Sequence, residues 1–303
     1  MKVQIIIPIY RPDDKFLELL RMIKRQSVKE LPVLLIDSGE GVFYGDEIKG
    51  MDIQVRTIDS CDFNHGGTRQ WGIELCPEAD VYVFLTQDAI LADDCSIEKL
   101  VAVFENDHIG CAYGRQIPHK DASFFGAFAR EFNYPKVSYI YCSEDRKQYG
   151  VKTVFISNSF AAYRKTAMQE VHGFPQHTIL SEDMCVAAKM LLQGWKIAYT
   201  ANAAVYHSHD YTIFQEFKRY FDIGVFHARE PWIQQKFGKA EGEGKRFIMT
   251  EFRYVLKRCP YLFFEMILRD GMKFLGYRLG RNEKYLKNKW KMKLSMSPRY
   301  WDV

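Results

Sequence analysis

The sequence predicts an α/β fold in which helices flank a largely parallel β-sheet, and three observations lead there. Two short runs, Val3–Ile9 and Val33–Asp37, are almost wholly apolar, as are residues 81–86; strands of that composition are covered on both faces. Phe16, Leu19, Leu20 and Ile23 fall between the first two runs at helical spacing. Strand-like and helix-like segments then keep alternating to about residue 114, the pattern of βαβ units packed in three layers.

In chain order, Val3–Ile9 is the opening strand, the Phe16 to Ile23 repeat is the first helix, and Val33–Asp37 is the second strand. Residues 53–58 form a weaker strand, and Gly66 and Gly67 lead into a helix over 67–75. The strongest strand, 81–86, is followed by a helix over 97–104 and a strand over 111–114. Residues 121–150 are rich in Phe and Tyr but lack a clean period, so they support no assignment. Order returns with a strand over 160–163, a helix Glu182–Leu192 closed by Gly194, and two short strands over 197–200 and 204–207. Beyond Phe214 the chain reads as mainly helical, with an amphipathic stretch over 247–279 interrupted by Pro260 and Gly271. No internal repeat or low-complexity segment is present.

At 303 residues and 47% hydrophobic, the chain buries a full core and fits one large domain or a domain with an extension. The first apolar run is too short and wrongly flanked for a secretory signal. The C-terminal apolar clusters are broken by Glu265 and Arg269, far short of the ~20 residues a spanning helix needs. Seven cysteines without a C-x-x-C pair argue against a disulfide framework or structural zinc, and for a reducing, cytoplasmic setting. The net charge of +4 is unevenly spread: residues 236–303 hold 17 Lys and Arg against 7 Asp and Glu, leaving 25 against 31 for the rest. A basic, aromatic-rich tail of this kind serves an anionic membrane surface, a homodimer contact, or simple solvation. Nucleic acid is disfavoured because no recognition motif accompanies the charge.

Ligands of parallel α/β sheets sit beyond the C-terminal ends of strands, and polar residues stand at each such end: Tyr10 and Arg11, Asp37 and Ser38, Gln87 and Asp88. Neither a G-x-G-x-x-G nor a P-loop follows the first strand, so a bound diphosphate would need a divalent cation and an arginine. Asp88 is placed to reach such a cation, though a loop or capping aspartate explains it equally well. His207 and His209 lie two apart on an extended chain and so face one way, as a metal ligand or as solvated or core histidines. Glu182 and Asp183 open a helix, where acids favour the dipole; the sharper reading is a general base for an attacking hydroxyl. Arg69 follows glycines at a helix start, either facing an anion or lying on the surface.

Taken together these positions resemble the family 2 glycosyltransferases of the GT-A fold over roughly residues 1–230, with residues 231–303 as a basic, mainly helical extension. The donor half is carried by Ile5-Ile6-Ile7-Pro8-Ile9-Tyr10, the Val33 to Ser38 strand, the Gly66 to Gly72 segment and the Asp88 region. The acceptor half is carried by Asn158 to Lys165, Gly173-Phe174, Glu182-Asp183 and Gly194-Trp195-Lys196-Ile197. Phe63 to Arg69, Thr86-Gln87-Asp88-Ala89 and His207 to Tyr211 are most similar to bacterial rhamnosyltransferases. The resemblance implies that Pro8, Tyr10 and Asp37 hold the nucleobase and ribose. It places Arg69 and Gln87 at the donor, Asp88 at the last position of the Asp-x-Asp metal motif, Asp183 as base, and His207 or His209 as a later metal ligand. Thr86 stands where the first aspartate of that motif belongs, leaving a single carboxylate to hold Mg²⁺ or Mn²⁺.

The same resemblance implies inverting transfer from a dTDP-rhamnose donor to a lipid-linked glycan acceptor, by an enzyme visiting the inner face of the cell membrane. Transfer of galactose, N-acetylglucosamine or glucose from UDP or dTDP by the same fold is the main alternative. A nucleotidyltransferase lacks support because its glycine-rich basic loop after strand one is missing, and a binding-only relative because Asp88 and Asp183 are both present.

Overall fold

The computed structural model describes residues 1–39, 48–238 and 241–302. Its centre is a nine-stranded sheet built on β1 (Val3–Ile9), β2 (Val33–Asp37), β3 (Ile53–Thr57) and β4 (Val81–Leu85). These four pair in parallel in the order β3-β2-β1-β4. The helix α1 (Asp14–Lys24) joins the first two, its N-terminus capped by Asp13, whose carboxylate accepts the Lys15 amide at 3.1 Å. The apolar runs are buried on both faces for a simple reason. Ile6, Leu34, Ile36, Tyr82 and Phe84 point into one core, and Ile5, Ile7, Leu35, Val83 and Leu85 into the other. The edge strand β3 is mostly exposed, which accounts for its weak apolar signal.

Past β4 the sheet becomes mixed. Along the chain come β5 (Ile90–Leu91), β6 (Ile109–Ile117), β7 (Tyr139–Tyr141), β8 (Phe160–Arg164) and β9 (Lys196–Tyr206). The strand β8 runs antiparallel between β4 and β6, and β9 lies parallel to β6. Two reversals restore direction, so β6 and β9 end at the same sheet edge as β1 and β4. The two short strands expected over 197–200 and 204–207 are one: β9 stays paired with β6, whose register jumps from Gly114–Thr200 to Arg115–Ala204 across a bulge. The unassigned stretch 121–150 contains α4 (Phe124–Asn133), β7 and α5 (Arg146–Tyr149). Its aromatic residues pack as a cluster, with Tyr139 on both Tyr141 and Tyr199 and Tyr134 on Phe155, so no single period runs through them.

The remaining helices are α2 (His65–Glu74), α3 (Ser96–Val101), α6 (Lys165–Glu170) and α7 (Glu182–Leu192). After the sheet come α8 (Ile213–Arg229), α9 (Pro231–Phe237), α10 (Glu241–Arg258), α11 (Phe263–Arg281) and α12 (Asn288–Leu294). Pro260 separates α10 from α11, whereas Gly271 lies within the unbroken α11. The backbones of α8 and α11 cross closely: a Cβ on Gly276 would meet Phe217 O at 2.3 Å, and one on Gly280 would meet Phe221 O at 2.0 Å. Gly276 and Gly280 are therefore packing positions rather than breaks. All seven cysteines are free thiols, and no described helix is long and apolar enough to cross a membrane.

Candidate active site

The sheet edge where β1, β4 and β9 end gathers the polar residues, beginning with Asp88. The turn after β4 closes with the Ala89 amide donating to Thr86 O at 3.1 Å, and the short β5 then pairs with β9, Ile90 opposite Tyr206. That pairing sets Asp88 against the end of β9. Asp88 Oδ2 lies 3.4 Å from His207 Nε2 and 3.9 Å from His209 Nδ1. The ligand atoms of all three lie within 4.8 Å of one another. Burial drives both imidazoles toward the neutral form, His209 down to about 3.

The tautomer of His207 is set from behind. Its Nδ1 lies 2.9 Å from Gln116 Oε1. Gln116 is fixed in turn, its amide nitrogen donating to Ser157 Oγ at 2.9 Å and its carbonyl accepting from Arg130. A carbonyl oxygen can only accept, so His207 Nδ1 carries the hydrogen and Nε2 presents a lone pair. That buried Nε2 has no hydrogen-bond partner. A lone pair facing a carboxylate oxygen at 3.4 Å with no proton between them is a repulsive pair that a shared cation relieves. One carboxylate and two neutral imidazoles thus fit a divalent ion.

A second group stands at the N-terminus of α7. Ser181, just before it, holds a left-handed backbone at φ 59°, a strained turn for a non-glycine residue that directs the next two side chains. Glu182 Oε1 pairs with Arg69 Nη1 at 3.2 Å, each side chain only 6% exposed, and accepts from Asn158 Nδ2 at 2.8 Å. Tyr163 anchors Asn158 by donating to its Oδ1 at 2.7 Å. Asp183 instead accepts backbone amides, from Asn158 at 3.1 Å and Met184 at 2.8 Å. Burial and the neighbouring Glu182 charge raise the Asp183 carboxyl to about 7. Burial pushes Glu182 up as well, but Arg69 prevails and holds it below its ordinary value. Two adjacent carboxyls pushed apart in this way are suited to different roles.

Both groups line one cavity of about 1300 Å³, with His65, Arg69, Asp88, Asp183, His207 and His209 in its wall. A recess of about 360 Å³ lies on the other side of Asp88 and His209. Pro8, Tyr10, Asp37 and Gln87 border neither space. They stand at neighbouring strand ends, where Gln87 clamps Tyr10, accepting its amide at 2.7 Å and donating to its carbonyl at 3.1 Å. Asp37 is buried and accepts the Gly39 amide at 2.7 Å. Arg69 reaches the cavity, but one guanidinium nitrogen is engaged by Glu182 and by His65 O at 3.0 Å, while its buried Nε has no partner.

Sequence reasoning missed Gln116 and Arg130, left His65 as part of a motif with no role, and missed that the C-terminal helices form part of the site. Phe247, Ile248, Met249, Arg269, Lys273 and Phe274 face the same cavity. Asn158 appeared only as part of a motif, with no role attached. The extension is therefore a wall of the cleft as well as a basic surface.

Residues 83–221 match the family described as glycosyl transferase family group 2. The O-antigen chain rhamnosyltransferase RfbN of Salmonella typhimurium is 47% identical, covering 100% of this chain and 96% of the relative. The O-antigen chain rhamnosyltransferase WbaN of Salmonella anatum is 41% identical over 98% of this chain and 95% of its own. Among solved structures, the mannosyltransferase PcManGT of Pyrobaculum calidifontis, in complex with GDP-Man and Mn²⁺, superposes with a TM-score of 0.61 at 12% identity, covering 91% of this chain and 86% of that one. The S. aureus TarS fragment in complex with UDP-GlcNAc gives 0.55 at 13% identity, covering 94% and 92%. At such identities these two establish the shared fold.

Proposed function

Because the chain belongs to glycosyl transferase family group 2, we propose that this glycosyltransferase moves L-rhamnose, with inversion, from dTDP-β-L-rhamnose to a hydroxyl of a lipid-linked O-antigen precursor. The rhamnosyl donor is supported by full-length likeness to two O-antigen chain rhamnosyltransferases. The chemistry is supported by one observation above the others: a carboxyl raised to about 7 and a cation-binding triad line the same cleft.

Transfer by a single displacement forms a bond from the acceptor oxygen to the anomeric carbon as the bond to the diphosphate oxygen breaks. The acceptor proton goes to Asp183. Each of its oxygens uses one lone pair on a backbone amide, which fixes the carboxylate and leaves the other lone pairs for the hydroxyl. Glu182 stays ionised against Arg69, and its charge keeps Asp183 basic enough to take a proton near neutral pH. Asp88, His207 and His209 would hold the divalent ion. When bound, it neutralises charge on the departing diphosphate. Tyr10, Asp37 and Gln87 are assigned to the nucleoside, and residues 231–303 to the outer wall of the cleft around a catalytic unit of residues 1–230.

The decisive measurement is release of nucleoside diphosphate from a panel of dTDP-, UDP- and GDP-sugars with isolated lipid-linked acceptor. Turnover confined to dTDP-rhamnose is expected. Preference for a UDP-hexose would replace the rhamnosyl assignment and leave the catalytic residues as proposed.

A further inference from the structure

The helices α10 and α11 fold back on each other beyond Pro260, bringing Phe252 to Phe263 and Phe247 to Lys273. Their inner faces are packed: Val255 and Met266 close on Phe125, and Phe247 on Phe128. The outer faces are apolar and bare. Tyr261 is 79% and Phe264 80% exposed at the turn, followed along α11 by Ile267, Leu268 and Leu275. On α10, Phe252 and Leu256 extend the ridge. Neither stripe has a covering element among the described residues.

Charge around the ridge is of one sign. The exposed charges of residues 242–281 that stand outside an ion pair are Lys or Arg, including Lys245, Arg253, Lys257 and Arg278. The acids of this stretch are buried or paired: Glu251 is buried, Glu243 pairs with Arg246 at 3.1 Å, Asp270 with Lys273 at 3.2 Å, and Glu265 with Arg269 at 2.8 Å. A bare apolar ridge whose unpaired charges are all cations complements an anionic lipid surface, where rings and aliphatic chains enter the headgroup layer and cations meet phosphate. A second copy fits less well, since a two-fold contact sets the same patch against itself and opposes like charges. The ridge also leads inward. Ile248, Met249 and Phe274 are exposed outside and line the cavity that holds Asp183.

We propose that the α10–α11 hairpin is a membrane-docking element that seats the mouth of the cleft on anionic lipid, with Ile248, Met249 and Phe274 guiding the apolar end of the acceptor toward Asp183. Docking rests on the hairpin alone; the acceptor's path rests on the glycosyltransferase reading above.

The test is flotation of the full-length protein with vesicles of phosphatidylcholine, with and without phosphatidylglycerol, at low and high salt. It compares wild type with the Tyr261→Ser/Phe264→Ser/Leu268→Ser variant. These side chains are 79%, 80% and 54% exposed, so folding is retained, which circular dichroism and donor turnover in solution verify. Wild type is expected on the anionic vesicles at low salt, with the bound fraction falling about ten-fold in the variant. A second variant, Arg253→Glu/Lys257→Glu, tests the charge rim and is expected to lose anionic selectivity. Wild type remaining unbound, or the serine variant floating equally well, overturns the proposal. So does a wild-type dimer that the serine variant converts to monomer, because a second copy then covers the ridge. Absence of donor turnover in wild type with flotation intact would instead remove the transferase reading and leave docking in place.

Discussion

Glu182 and Asp183 are neighbours on the first turn of α7, yet their environments drive their acidities in opposite directions. Glu182 is held ionised by Arg69 at 3.2 Å, while Asp183, buried beside that charge and bonded only to backbone amides, rises to about 7. Successive positions on a helix point about 100° apart, which sends the two side chains to different partners. Burial thus raises the Asp183 carboxyl, and the ionised Glu182 beside it raises it further.

The first prediction concerns pH. A base must be deprotonated to accept the acceptor proton, so kcat/KM should rise about ten-fold per pH unit below about 7 and level off above it. The limb reports the pair rather than one residue. Asp183→Asn should lower kcat by about 10²- to 10⁴-fold while nucleoside-diphosphate binding persists. Near wild-type turnover in the purified variant would remove Asp183 from the base role.

How far the sequence reveals this arrangement depends on the reach of each feature. The strands β1, β2 and β4 are legible because both faces are covered, so each is a continuous apolar run. The Glu182-Asp183 pair is legible because it opens a helix. The partnership of Gln116 with His207 is not, since it depends on β9 lying beside β6 with Val205 opposite Gln116. The bulge that carries β9 through residues 201–203 made one strand look like two. Summed charge likewise hid that the acids of α10 and α11 are buried or paired while Lys245, Arg253, Lys257 and Arg278 stand exposed.

The second prediction separates the Arg69 pair from the chemistry. Arg69 and Glu182 are buried together, so removing either partner leaves a charge without its counterion, at a cost of about 3 kcal/mol or more. Glu182→Gln also removes the like charge that raises Asp183, so the acid limb of the kcat/KM profile should move to lower pH even as thermal stability falls. Retention of the wild-type limb in a folded Glu182→Gln protein would mean that burial alone sets the basicity of Asp183.

Metal binding supplies the third. Gln116 holds His207 in the tautomer whose Nε2 lone pair faces Asp88. Gln116→Leu should therefore weaken Mn²⁺ binding about 10- to 100-fold, the usual effect of losing a residue that orients a ligand. Two imidazoles in the set should also favour Mn²⁺ over Mg²⁺. Calorimetric titration of the protein with each ion, in the absence of donor, reads both directly. Unchanged Mn²⁺ affinity in Gln116→Leu would show that the amide only packs.

The fourth follows from asking which cation is available to the diphosphate. Arg69 is engaged by Glu182, and Arg130 by Gln116. Arg219, on α8, lines the cavity, is exposed, and enters no hydrogen bond or ion pair among the described residues. Burial holds both His65, beside the Glu182 pair, and His209, in the metal triad, neutral, and the Arg219 charge acts on both rings in the same direction. A guanidinium lining the same cavity as those two groups, outside any ion pair among the described residues, is positioned for the phosphate oxygens that gain charge as the sugar leaves. Arg219→Ala should weaken nucleoside-diphosphate binding by about 10- to 100-fold, matching loss of a charge-assisted hydrogen bond, and leave nucleoside binding almost unchanged. Arg219→Lys should recover part of the affinity, because a point charge replaces the fork but not its two-point geometry. Calorimetry with dTDP and with thymidine distinguishes the cases. Equal loss for both ligands would indicate a disturbed cleft, and no loss for dTDP would leave neutralisation to the metal site alone.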